Sequence, residues 1–159
     1  LYEIDVCCYL LNDHHQNVYF PGRFEKLENG KLNKLLSNKN KLYLDGAHNE
    51  DAARALNHSL NALPIKQLIL IIGMISSKNP TEYIKQFTNV ECIYTITIPD
   101  ERSSIEASEL KELINNEHSN VYASDSLEAA LTEIGMKYPE GTCCITGSLY
   151  LVGNVLKAN

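Results

Sequence analysis

From residue 41 onward, short apolar runs alternate with segments whose apolar residues recur every three or four positions. "KLYLD" (41–45) reads as a strand. Residues 49–62 set Ala52, Ala53, Leu56 and Leu60, with Leu63 just beyond, on one helical face. "QLILIIGM" (67–74) is an unbroken apolar run, the mark of a strand covered on both sides. "PTEYIKQF" (80–87) reads as a helix with Pro80 suited to its first turn. "ECIYTITI" (91–98) is a strand rich in β-branched residues. An amphipathic helix follows at 104–117, then a short strand at 120–124. Residues 125–138 form a helix capped by Ser124 or Asp125. A last strand (142–147) and a last helix (148–159) complete the pattern.

The first forty residues are less regular. A short helix is expected at 3–11, a polar loop at 12–17, and an extended stretch at 18–27 broken by Pro21-Gly22. Residues 28–41 are polar, with Leu32, Leu35 and Leu36 at helical spacing, and read as a short helix or a loop. No internal repeat or low-complexity segment interrupts the chain.

A strand followed by a helix, about five times over with short connections, predicts a three-layer α/β, Rossmann-like domain. Its central sheet is mostly parallel, with five to six strands. Ligands of such sheets bind at the carboxyl ends of the strands. That rule selects four corners: Asp45–Asn49, Gly73–Lys78, Pro99–Ser103 and Gly147–Ser148.

Composition narrows the function. The 159 residues suffice for one domain with a core, and 44% hydrophobic with 21% charged residues is ordinary for a globular protein. The net charge of −6 argues against general nucleic-acid binding, while leaving room for a local anion site. No run approaches the length of a membrane span, so no membrane partner is expected. The five cysteines (Cys7, Cys8, Cys92, Cys143, Cys144) show no metal or redox spacing, and read as small buried residues in a reducing cytoplasm. His14-His15 lacks a third ligand nearby and is not read as a metal site. The chain begins with Leu, as expected of a piece of something longer.

At "DGAHN" (45–49), Gly46 permits a sharp turn and the helix that follows offers free N–H groups to an anion. Asp45 can accept from hydroxyls such as those of a ribose, and His48 can hold a phosphate or carboxylate. The alternative is that Asp45 or Asn49 merely caps the helix and His48 is solvated; the residues alone leave both open. "GMISSKNP" (73–80) lacks the second glycine and the Ser/Thr of a triphosphate-binding loop, so Lys78 is either a ligand or a solvated lysine. In "PDERSS" (99–104), Ser103 or Ser104 is expected to cap the helix and Arg102 stands beside them. Ser148 either caps the last helix or presents its hydroxyl to a ligand. Arg23, after the Pro21-Gly22 turn, suits bidentate contact with phosphate or carboxylate, or is simply solvated as most loop arginines are.

Taken together, "PGRFEKL", "LYLDGAHNEDAARAL", "GMISSKNP" and "ITGSLYLVGNV" resemble the carboxyl-terminal domain of folylpolyglutamate synthase/dihydrofolate synthase, of the Mur ligase superfamily, over about residues 18–157. The resemblance implies an ATP- and Mg2+-dependent ligase that phosphorylates a pteroate or folate carboxylate and lets the amine of L-glutamate displace the phosphate. Residues 1–17 would be a linker or remnant of a preceding P-loop ATPase domain, and 18–159 the Mur-ligase-type carboxyl-terminal domain, inactive alone and monomeric. By resemblance Arg23 reaches the terminal phosphate and Asp45 the ribose. His48 and Asn49 line the phosphates and the incoming amino acid, and Lys78 and Ser148 contact its carboxylate. Arg23 and His48 would be catalytic, and no residue here is a metal ligand. Glu50 stands where the family often has Pro, Asn79 where it commonly has Asp, and residues 28–40 are an insertion. The alternatives are a cell-wall ligase of the same superfamily, disfavoured by "GSLYLVG", and a non-enzymatic α/β module holding an anion at the same corner.

Overall fold

A computed structural model describes residues 21–159. The expected helix at 3–11, the loop at 12–17, residues 18–20, Cys7, Cys8 and the His14-His15 pair lie outside the described residues.

Six strands form one sheet in the order β1-β2-β6-β3-β4-β5. They are β1 (Glu25–Leu27), β2 (Lys41–Leu44), β3 (Leu68–Ile72), β4 (Val90–Thr95), β5 (Val121–Ala123) and β6 (Thr142–Thr146). The last five positions of that order run parallel, and β1 pairs antiparallel with β2 at one edge. The reason for the exception is the connection. Residues 28–40 carry only a one-turn 3-10 helix (Leu32–Leu35), so the chain closes a hairpin instead of crossing over. The helices are α1 (Glu50–Asn61), α2 (Pro80–Ile84), α3 (Ala107–Ile114), α4 (Leu127–Lys137) and α5 (Leu149–Ala158). The expected three-layer, mostly parallel architecture is the one observed.

β6 is last in sequence yet lies in the middle, between β2 and β3. Side chains alternate across the pleat and feed two cores. Leu42, Leu44, Ile69, Ile71 and Cys143 face α4, α5 and the 3-10 turn. Tyr43, Leu70, Ile72 and Cys144 face α1, α2 and α3. Adjacent Cys143 and Cys144 thus point into opposite cores and cannot act as a pair, and both are free thiols. In α1, Ala53, Leu56 and Leu60 are buried as their spacing requires.

Three boundaries differ from expectation. α3 begins at Ala107 after an N-cap Glu106 whose side chain makes no cap bond, so neither Ser103 nor Ser104 is the cap. Ser104 instead accepts the Ile98 N–H and pairs with Ile75 across an antiparallel bridge. α4 is capped by Ser126, which accepts the Ala129 N–H at 3.1 Å, not by Ser124 or Asp125; the Ser124 hydroxyl donates to the Ser126 carbonyl. α2 stops at Ile84, and Gln86 and Phe87 tighten the chain with bonds back three residues.

Candidate functional site

The carboxyl ends of β2, β6 and β3 meet in one corner, and main-chain contacts weld it. Gly147 donates to the Ala47 carbonyl (3.0 Å) and Gly73 to the Thr146 carbonyl (3.3 Å). Gly147 has φ +109°, and a Cβ there would lie 2.7 Å from the Gly73 carbonyl oxygen, so no other residue fits without a shift. The Tyr83 hydroxyl of α2 reaches in from above, 2.8 Å from Thr146 Oγ1 and 3.1 Å from the Ala47 carbonyl.

The Pro21-Gly22-Arg23-Phe24 turn docks onto this corner. Gly46 donates to the Gly22 carbonyl at 2.8 Å, and Glu25 accepts the Gly22 N–H at 2.7 Å. Gly22 has φ +73°, and the space a side chain would need is filled by Val152 of α5. Asp45 closes the arrangement. Its Oδ1 accepts the Ala47 N–H at 2.8 Å and its Oδ2 the Phe24 N–H at 2.7 Å. The residue is only 3% exposed. Burial pushes its carboxyl above the ordinary value; those two N–H groups and the charges of Arg23 and His48 pull the other way without cancelling it.

Arg23 itself is exposed, and its guanidinium has no hydrogen bond or ion pair among the described residues. His48 is half-buried, with Nδ1 2.8 Å from the Gly46 carbonyl. A carbonyl only accepts, so Nδ1 carries a proton; Nε2 is left for a ligand, and donates to an anion when the ring carries its second proton. Asn49 caps α1, its Oδ1 accepting the Ala52 N–H at 2.9 Å. Its amide nitrogen remains as a donor beside the free N–H groups of a twelve-residue helix. Ser148 is buried and caps α5, its Oγ accepting the Tyr150 N–H at 3.1 Å. The capping readings of Asn49 and Ser148 therefore hold; each keeps one donor of its own.

Arg23, Asp45, His48, Asn49 and Ser148 are thus gathered around the ends of β2 and β6. Lys78 lies on the β3–α2 loop, half-buried, without a hydrogen-bond or ion-pair partner for its ammonium among the described residues. That loop is stitched to the Pro99–Ser104 loop by Ser76 N–H to the Ser103 carbonyl (2.8 Å) and Ile105 N–H to the Met74 carbonyl (2.9 Å). Asn79 caps α2 through the Glu82 N–H, which is what an Asp there would also do. Sequence reasoning missed Tyr83 and the Phe24 N–H, because neither a buried phenol nor a main-chain donor leaves a motif. Leu149 and Tyr150, in the first turn of α5, are the other surprise: both are exposed at the rim of the corner.

What this corner offers is donors: a guanidinium, an imidazole, amide groups and a helix start, a set suited to an anion of several oxygens. Among the described residues no group of three or more His, Cys, Asp or Glu converges to hold a metal ion. No described helix is long and apolar enough to cross a membrane.

The family model of the dihydrofolate synthetase carboxyl-terminal domain matches residues 28–158. No curated protein matches the sequence significantly. Bifunctional folylpolyglutamate synthase/dihydrofolate synthase of Yersinia pestis superposes with a TM-score of 0.72 at 23% identity, over 90% of this chain and 32% of that one. Mycobacterium tuberculosis folylpolyglutamate synthase, complexed with ADP and AMPPCP, does so at 0.75 and 16%, over 89% and 32%. Folylpolyglutamate synthase of Thermotoga maritima does so at 0.68 and 29%, over 89% and 31%. The chain spans about a third of the length of these enzymes. Sharing their sheet, and matched by the family model over most of its length, the chain belongs to the dihydrofolate synthetase carboxyl-terminal domain family.

Proposed function

We propose that the chain forms the lid side of an ATP-dependent ligase that joins L-glutamate to dihydropteroate or folate. In that reaction a carboxylate oxygen of the pteroyl substrate attacks the γ-phosphorus of ATP and ADP departs. The glutamate amine then attacks the acyl carbon, phosphate leaves with the C–O bond electrons, and the amine loses a proton. Both steps need a phosphoryl group held still and two reactants aligned. The P-loop belongs to the preceding part of the protein, and the domain is inactive without it. A divalent ion accompanies the nucleotide in this reading. The described residues offer it no ligand set, so its ligands are assigned to that preceding part.

The observation that carries the reading is the gathering of uncommitted donors at the β2 and β6 ends. Arg23 takes the terminal phosphate, with a planar fork that matches its oxygens. His48, through Nε2, and the Asn49 amide take the neighbouring phosphates beside the α1 N-terminus. Lys78 and the Ser148 hydroxyl face the carboxylate of the incoming glutamate. The protein works as a cytoplasmic monomer, and its buried thiols suit a reducing compartment.

The test is direct. The full-length protein is incubated with ATP, L-glutamate and either dihydropteroate or folate, and product mass and released phosphate are followed. One added glutamate per phosphate is expected. Arg23→Ala and His48→Ala are each expected to slow turnover about 100-fold. No amide product with either acceptor, or extension of cell-wall nucleotide peptides instead, overturns the reading.

A further inference from the structure

We propose that Asp45 is the positioning residue that holds the Arg23 turn over the strand ends. The inference rests on the reading above, in which Arg23 meets the transferring phosphate. Four observations support it.

First, the carboxylate is occupied and covered. Each oxygen accepts a main-chain N–H, from Ala47 at 2.8 Å and from Phe24 at 2.7 Å, and the residue is 3% exposed. Second, the turn needs holding. Gly22 and Phe24, the residues on either side of Arg23, both have positive φ, +73° and +46°. Glycine tolerates that conformation, but a phenylalanine in it is strained and persists only where its surroundings impose it. The Asp45 bond falls on that strained residue. Third, Arg23 has no side-chain anchor among the described residues, so its backbone decides where the guanidinium starts. Fourth, the other fastenings of the turn converge on the same point: Gly46 N–H to the Gly22 carbonyl, Val152 against Gly22, and the Phe24 ring stacked on Tyr43 at 5.1 Å.

The residue type follows from the task. A carboxylate offers acceptors on both oxygens, and two N–H groups approach from different segments. Asparagine offers one oxygen, and turns an NH2 toward the second N–H, so one of the two bonds is lost. A shift of about 1 Å in a phosphate-clamping group is enough to slow a reaction about 100-fold.

A double-mutant cycle in the full-length protein tests the positioning. Arg23→Ala is expected to lower kcat about 100-fold and Asp45→Asn about 10- to 100-fold. If Asp45 acts through Arg23, the double variant is no slower than Arg23→Ala alone, within about threefold. Losses that multiply overturn the inference. A second readout is the KM for L-glutamate, which is expected to be the same in wild type and Asp45→Asn. A KM that rises while kcat holds overturns the inference. Should Asp45→Asn fail to fold, Gly22→Ala displaces the turn against Val152 while leaving Asp45 intact. It is expected to reproduce the kcat loss of Arg23→Ala without changing KM for L-glutamate, and wild-type turnover in it sinks the proposal. If Arg23→Ala is itself fully active, the fault lies with the phosphate role of Arg23, and the inference falls with it.

Discussion

The Phe24 main-chain nitrogen lies 2.7 Å from Oδ2 of Asp45, 21 positions further along the chain. The bond ties the edge hairpin to the corner where β2 ends, and the carboxylate it engages is nearly shut off from water. Burial raises the Asp45 carboxyl above its ordinary 3.8, so the folded chain binds that proton more tightly than the unfolded chain. The stability Asp45 contributes is therefore full below the ordinary carboxyl range and declines as pH rises through the raised value. Denaturant unfolding of wild type and Asp45→Asn between about pH 3 and about pH 8 reads the difference, other carboxyls cancelling. The advantage of wild type is expected to shrink with rising pH, and an advantage that grows contradicts the burial argument.

Asn49 allows cap and ligand to be separated. Asn49→Asp keeps an acceptor for the Ala52 N–H and adds a charge that suits the start of α1, so stability is expected to hold or rise by up to about 1 kcal/mol. The same charge repels a phosphate, and KM for ATP in the full-length protein is expected to rise about tenfold, some 1.4 kcal/mol. Asn49→Ala loses the cap, at about 1 kcal/mol in urea unfolding. An Asn49→Asp enzyme with unchanged KM removes Asn49 from the site.

Two glycines of one hairpin-length stretch are expected to respond with opposite sign. Gly147→Ala puts a Cβ 2.7 Å from the Gly73 carbonyl at φ +109°, and is expected to lose roughly 1–3 kcal/mol. Gly153 lies inside α5 with nothing within 4 Å of the added atom. Gly153→Ala is expected to gain about 0.5–1 kcal/mol, since alanine favours a helix interior. Urea midpoints of the two variants check both, and equal shifts contradict the contact at Gly73.

Burial pushes the Cys92 thiol up to about 11 and that of Cys143 to about 12, and Cys144 lies well above its ordinary value for the same reason. Thiolate, the reacting form, is then scarce at neutral pH. Alkylation followed by peptide mapping is expected to leave these three unlabelled in the native protein and labelled in denaturant. Rapid native labelling at Cys143 contradicts its place in the core.

Much of this was legible in the sequence because it is local. The unbroken run around Leu70 announces a strand covered twice. The spacing of Ala53, Leu56 and Leu60 announces α1, and the strand-end rule selects the ends of β2 and β6, with Asp45, His48, Asn49 and Ser148; the docking of the Arg23 turn beside them is tertiary. What escaped is tertiary. Ser104 looks like a cap until its pairing with Ile75 is known, and that pairing joins two loops far apart in sequence. Ser126, rather than its polar neighbours, caps α4 because the Ser124 hydroxyl turns to the Ser126 carbonyl. The partner of Asp45 is a main-chain N–H on a hairpin, and the tie between Tyr83 and Thr146 spans 63 residues; neither is written in residue type.

The central place of β6 bears on how the domain is made. Synthesis delivers β6 after every strand it separates, so until Thr142 emerges the β1–β2 hairpin and the β3–β4–β5 ladder are unconnected half-sheets. Each exposes an apolar inner edge, β2 or β3, able to pair with a neighbouring nascent chain. A ribosome paused in α4 thus holds five of the six strands without the one that joins them, and holding that interval safe is a task for chaperones.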